Sequence, residues 1–198
     1  MPSSQKNRKK FPETQSGILD LSTESDRGCV LASHAWIEKL LGDNIRNRLT
    51  QTGGPGAANV IVELIGDDAK NNGGPISMFA HRARLAFALG LIQHGTYQSL
   101  VELNDLRTHF AHHPGKVALT LQRVNAIRGP LAADVKHPVR QSTVLIEGNI
   151  AGRPHAVQEF LTFIAWLRLI LGDPTQACLG PESTAQLRKK SAKAGVTL

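Results

Sequence analysis

An arginine and a histidine lie close together near the middle of this 198-residue chain, in the stretch Arg107-Thr108-His109-Phe110-Ala111-His112. Imidazole exchanges a proton near neutral pH, and a guanidinium stays charged and fits a phosphate group. Such a pair suits metal-independent cleavage of RNA, in which His112 transfers a proton and Arg107 stabilises the charge on phosphorus. The same residues could simply hold two subunits together, and the spacing alone favours a structural role.

The spacing also limits how the pair can meet. Five positions on an ideal helix correspond to about 500°, which is roughly 140° around the axis. Pro114 disfavours helical geometry at His113, so it predicts that the helix ends there. Arg107 and His112 therefore converge only if the last turn unwinds, or if a twofold symmetry mate supplies its own copy of the pair.

Neighbouring side chains add two weaker possibilities. Asp105 could orient a histidine or pair with Arg107, although an ordinary exposed helix charge is the favoured interpretation. His109 and His113 are four positions apart and could share a helix face as metal ligands. Because no cysteine or carboxylate has a matching spacing, the sequence predicts no metal site, and it offers no motif for a cofactor.

These residues must be positioned by helices. Apolar periodicity predicts helices near residues 25–50, 59–65, 78–92, 96–112 and 157–171. Ser25 or Asp26 would cap the first, and Ser77 would cap the third. The short link between the third and fourth helices suggests an antiparallel pair, so we expect an all-α helical bundle. Residues 116–154 are harder to assign, and a small β-hairpin could form near 143–152.

The net charge of +7 invites a nucleic-acid function, but its distribution weakens that interpretation. Residues 1–10 and 184–198 hold 4 basic residues each and no acids, which leaves 15 basic and 16 acidic residues, a balance of −1. We therefore predict a flexible basic lead over 1–24, a regulator-like domain over 25–175 and a flexible basic tail over 176–198. The two tails could touch DNA or RNA through salt-sensitive contacts.

Cysteine content and hydropathy bear on the compartment. The 2 cysteines are isolated, which favours a reduced cytoplasm over a disulfide framework. The most apolar run, 160–171, is shorter than the ~20 residues that a membrane span needs. No signal peptide is visible, so a soluble cytoplasmic protein is expected.

Three segments together resemble one known family: Ser25–Gly28, Ser77–Ile92 and Leu106–His112. The family is that of the bacterial mannitol operon repressor. The resemblance implies a mainly helical transcriptional regulator without a standard helix-turn-helix, which would act through protein partners. It also implies a homodimer or higher homo-oligomer. The positions that carry the family motif are Asp26, Arg27, Gly28, Ser77, Phe79, Arg82, Phe110 and Ala111.

The end of the fourth helix is similar to a second group, the HEPN superfamily, whose helical dimers include metal-independent ribonucleases. This likeness implies that Arg107 and His112 form a catalytic pair, supported by Asp105, Thr108 and His109. The chain departs from the usual hallmark at Thr108, where the repressor family has asparagine. An endoribonuclease or RNA-binding protein is therefore the alternative to a non-enzymatic regulator.

Overall fold

The computed structural model describes residues 16–66, 73–113, 115, 117–134 and 152–172. These residues form helices and no strand, which confirms the all-α prediction for the described part of the chain. The helices are α1 (Ser16–Thr23), α2 (Asp26–Thr52), α3 (Ala57–Ile65), α4 (Phe79–Ala88), α5 (His94–His112), α6 (Leu121–Asp134) and α7 (His155–Gly172). The hairpin predicted near 143–152 lies outside these residues except for Gly152. Residues 1–15 of the predicted lead and the whole predicted tail 176–198 also lie outside them.

Helix α2 begins as the sequence predicts. The Ser25 hydroxyl accepts a hydrogen bond from the Gly28 backbone N–H at 3.1 Å, which satisfies one of the free N–H groups at the helix start. The predicted apolar stripe faces the core, since Val30, Ile37 and Leu41 are fully buried. A single 27-residue helix thus forms one long wall of the bundle.

Helix α7 lies at the centre of the core. The predicted apolar positions are all buried, among them Val157, Phe160 and Ile164. Because α7 contacts α1, α2 and α6, it is apolar around most of its circumference. Within the described residues, no helix is both long and apolar enough to cross a membrane.

The N-terminal lead differs from the prediction at its C-terminal end. Residues 16–23 form α1, which packs against α2 and α7. Leu21 is buried among the core residues, so hydrophobic contact holds helix α1 against the bundle.

Helix α4 is shorter than the predicted 78–92. Gly90 adopts a left-handed conformation (φ 68°), and the N–H of Leu91 donates to the carbonyl of Ala86. The N–H of Gly90 donates to Phe87, which completes a Schellman motif and ends the helix at Ala88. Helix α5 begins at His94, two residues before the predicted start at 96.

Helix α6 was not predicted. Gly129 and Pro130 lie inside it, and both residues normally indicate a break. The helix is held by Val124, Ile127 and Leu131, which are buried against α5 and α7. Burial of this stripe outweighs the one backbone hydrogen bond that Pro130 cannot donate.

Candidate functional site at the end of helix α5

The segment Ser25–Gly28, here called the SDRG motif, positions the C-terminal end of α5. Arg27 donates to the carbonyl oxygen of Ala111 at 3.4 Å. Asp26 accepts from the backbone N–H of Leu119 at 2.8 Å and lies 3.6 Å from the Arg153 guanidinium. These contacts connect the start of α2 with the end of α5, with Leu119 just before α6 and with Arg153 just before α7.

Helices α2 and α5 run antiparallel, as two contacts show. His34 bonds to the Asn104 carboxamide at 3.2 Å, and Arg27, two turns earlier on α2, reaches Ala111, two turns later on α5. The predicted pair was α4 with α5, and those helices do pack together. The end of α5 is nevertheless positioned by its antiparallel contacts with α2, not by those with α4.

His34 is a buried histidine that sequence reasoning did not single out. Its ring stacks on Phe79 with 4.1 Å between ring centroids, and 6% of its surface is exposed. Burial lowers the pKa of His34 to about 4, the Asn104 hydrogen bond opposes this shift, and the charge of Arg107 adds to it. His34 is therefore neutral at pH 7 and acts as a packed, hydrogen-bonded core residue.

Arg107 lies on the side of α5 that faces α2. It is three positions after Asn104 and four before Ala111, so the three residues share one helix face. Arg107 is exposed, and it makes no hydrogen bond or ion pair within the described part of the chain. Its guanidinium can therefore bind an anion at the edge of the contact surface between α2 and α5, here called the α2–α5 seam.

His112 lies on a different side of the helix. Helix α5 remains α-helical through His112, and the N–H of His113 still donates to the carbonyl of His109 at 3.2 Å. The unwound last turn that convergence within one chain would need is therefore not present. On this intact helix Arg107 and His112 remain about 140° apart. Their catalytic role stays a prediction, which now requires a second copy of the chain.

The supporting residues have local partners or none. Thr108 donates its hydroxyl to the carbonyl of Asn104 at 2.9 Å, a bond within α5. His113 contacts the His109 carbonyl through Nδ1 at 2.8 Å, and the two rings stack at 4.4 Å. Asp105 is exposed and makes no ion pair in the described part of the chain. The described residues contain no group of three or more potential ligands that could hold a metal ion.

The family-motif residues on α4 are structural. Ser77 precedes the N-cap, which is Met78 and not Ser77 as predicted. Phe79 is buried under His34, and Phe110 is fully buried one turn before the end of α5. These side chains fix the packing of α4 and α5 against α2.

Arg82 is a buried arginine, with 5% of its surface exposed. Its guanidinium donates to three carbonyl oxygens: Ile76 at 3.3 Å, Glu38 at 3.1 Å and Ile65 at 3.4 Å. The Ile65 carbonyl is at the negative end of α3, where a cation is stabilising. Arg82 thereby links α4, α2 and the end of α3.

An exposed stripe runs along the outside of α5. Phe87 of α4 stacks on Tyr97 at 5.2 Å, and Val101 follows Tyr97 one turn later. Phe87 and Val101 are each 40% exposed, so the two helices present apolar surface to solvent here. Helical spacing continues this surface, here called the outer stripe, along α5: Tyr97, Val101, Asp105, Thr108 and His112, with Phe87 beside them.

The fold and site define an all-helical protein whose motif residues are mostly packing residues around the end of α5. No protein-family model matches the chain, and no curated protein matches it. Among solved structures, the chain is similar to one described as the MtlR–HPr complex from Escherichia coli, at 20% identity and a TM-score of 0.46. The likeness covers 83% of this chain and 98% of the other. At this identity and TM-score it carries no argument about function.

Proposed function

We propose that this protein is a non-enzymatic, repressor-like regulator of transcription. It forms a homodimer or higher homo-oligomer and acts by binding other proteins. The observation that carries the proposal is the outer stripe, because it exposes an aromatic and aliphatic surface beside the hallmark segment. Phe87, Tyr97 and Val101 bring no formal charge to this part of the surface. These three side chains can meet their own copies across a twofold axis without opposing like charges.

The intact end of α5 also favours binding over catalysis. A general acid or base must reach the same reacting group as the residue that stabilises its charge. In one chain, Arg107 faces the α2 seam and His112 faces outward on the outer stripe. Partner binding needs no such convergence.

A transcript profile separates the proposal from its rival. Cells of the source organism that lack the gene for this protein would be complemented with the wild-type protein, with Phe87→Ser or with His112→Ala. The transcripts of each strain would then be compared. A regulator that works through the apolar end of the outer stripe (Phe87, Tyr97 and Val101) loses its transcript effects with Phe87→Ser. It keeps them with His112→Ala, because His112 lies at the other end of the stripe. Leu169→Ser on α7 is a matched control, because Leu169 is 48% exposed and lies outside the stripe. Equal effects of Phe87→Ser and wild type would refute the proposal.

The second candidate is a metal-independent endoribonuclease or RNA-binding protein. The observation that favours it is that His112 belongs to the outer stripe, so twofold pairing through the stripe would bring two copies of α5 together. An active site would then form only across two subunits. Purified protein should cut RNA in EDTA and leave a cyclic phosphate, and His112→Ala should abolish cleavage while the protein stays folded. Intact RNA after incubation with the wild-type protein would exclude this activity.

The basic tails are a proposed route to DNA or RNA. Binding that falls uniformly across sequences as salt rises would assign such contacts to the tails. Salt-resistant binding to one operator fragment would instead indicate specific recognition by the helical domain.

A further inference from the structure

A cleft between α5 and α6 holds a second cluster of charged side chains, separate from the Arg107 seam. Its volume is about 220 Å³. The cleft is lined by Glu102, Asp105, Leu106, His109, Arg123, Ala126 and Ile127. It is smaller than the pockets of about 300–1,000 Å³ that hold drug-sized ligands, so it suits a small metabolite.

Arg123 is the unusual member of this cluster. Its Nη1 atom is buried and has no hydrogen-bond partner. Glu102 and Asp105 line the same cleft, yet neither forms an ion pair with Arg123 in the described part of the chain. Buried polar groups are normally hydrogen-bonded, and an unpaired guanidinium N–H calls for an explanation. A bound anion would supply the missing acceptor.

The other walls define what such an anion must carry. Glu102 and Asp105 are exposed carboxylates that accept hydrogen bonds from hydroxyl or amino groups. Loss of water contact lowers the pKa of His109, and the nearby charges of Arg123 and His113 lower it further. A neutral imidazole can donate or accept a hydrogen bond without competing for the anion. Leu106 and Ile127 form an apolar floor.

We propose that this cleft binds a small organic anion that also carries hydroxyl or amino groups. The carboxylate or phosphate of the ligand bonds to the Arg123 guanidinium, and its hydroxyl or amino groups donate to Glu102 and Asp105. The cleft shares Asp105 with the outer stripe. Its test measures ligand binding alone, so the proposal can fail while the proposed function holds, and the reverse.

Calorimetry on the full chain tests the site with named probes: glycerol 3-phosphate, 3-phosphoglycerate and glycerate as hydroxylated anions, and inorganic phosphate, acetate and glycerol as incomplete ligands. At least one hydroxylated anion should bind with a Kd of about 1 mM or tighter and exceed every incomplete ligand. Arg123→Gln should weaken binding about tenfold or more, because a charge-assisted bond is lost. Arg84→Gln is the matched control, since Arg84 is an exposed arginine outside the cleft.

A structural role for Arg123 predicts different results. If Arg123 only supported the fold, Arg123→Gln would lower the Tm of the unliganded protein. The binding role predicts an unchanged or higher Tm, because a buried N–H group without a hydrogen-bond partner is removed. Asp105→Asn should reduce the preference for hydroxylated over bare anions, because a strong hydrogen-bond acceptor is lost and a charge that repels every anion is removed. The proposal is overturned if no probe binds when its concentration is about ten times the expected Kd. Equal binding by Arg123→Gln and wild type would also overturn it.

Discussion

His34 should make the stability of this protein fall as the pH drops below neutral. Its pKa is about 4 in the folded chain, against 6.5 for an unperturbed histidine. As the pH falls, the unfolded chain therefore takes up a proton first, and unfolding becomes more favourable. The loss begins near pH 6.5 and is complete near pH 4. The full shift corresponds to about 3 kcal/mol, at 1.36 kcal/mol per pKa unit.

Urea unfolding at pH 7.5 and pH 5.5 measures this effect in a range where most carboxylates stay ionised. Across this interval the linkage relation gives a loss of about 1.3 kcal/mol from His34 alone. His34→Gln should abolish that part of the pH dependence, although the loss of the Phe79 stacking lowers its stability at both pH values. His155→Gln serves as the control, since His155 is exposed and should keep the full dependence. An unchanged pH dependence in His34→Gln would show that His34 is not held neutral by burial.

Four further predictions concern the helices around the site, each measured by urea unfolding. Ser25→Ala removes the cap of α2 and should cost about 1 kcal/mol, whereas a loss near zero would mean that the SDRG motif does not act through the cap. Arg82→Met leaves three carbonyl groups without their donor and should cost about 2–4 kcal/mol; a neutral result would contradict its linking role. Gly42→Ala places a methyl group 3.0 Å from Arg82 Nη1 and should destabilise by about 1–3 kcal/mol. Gly129 of α6 has no atom within 4 Å of the position that a Cβ would take. Gly129→Ala should therefore stabilise the protein by up to about 1 kcal/mol.

The helices with long apolar stripes were predictable from sequence. Val30, Ile37 and Leu41 on α2, and Phe160 and Ile164 on α7, repeat at helical spacing and are buried as expected. The errors came from glycine and proline. Gly90 was treated as part of a helix, although only its left-handed conformation allows the Schellman turn that ends α4.

Helix α6 was missed for the converse reason. The spacing of Val124, Ile127 and Leu131 is typical of a helix, but Gly129-Pro130 obscured it. Packing against α5 and α7 supplies free energy that a local pattern does not contain. A search that weighted apolar spacing above breaker residues would have found this helix.

The site was predictable only in part. Ser25 as a cap and the end of α5 at His112 both follow from local chemistry and were found. The pairing of His34 with Asn104 depends on the register of two helices distant in sequence, which periodicity does not determine. The burial of Arg82 likewise depends on three elements that converge in space, and the nearest signal was its place in an otherwise apolar helix.

If this protein self-associates through the outer stripe, its mass in solution must exceed that of one chain. Light scattering coupled to size exclusion should give at least twice the chain mass of 21.4 kDa for the wild-type protein. The double variant Phe87→Ser/Val101→Ser should give 21.4 kDa while its circular dichroism remains helical. A monomeric wild-type protein, or an oligomer that survives in the double variant, would contradict the account.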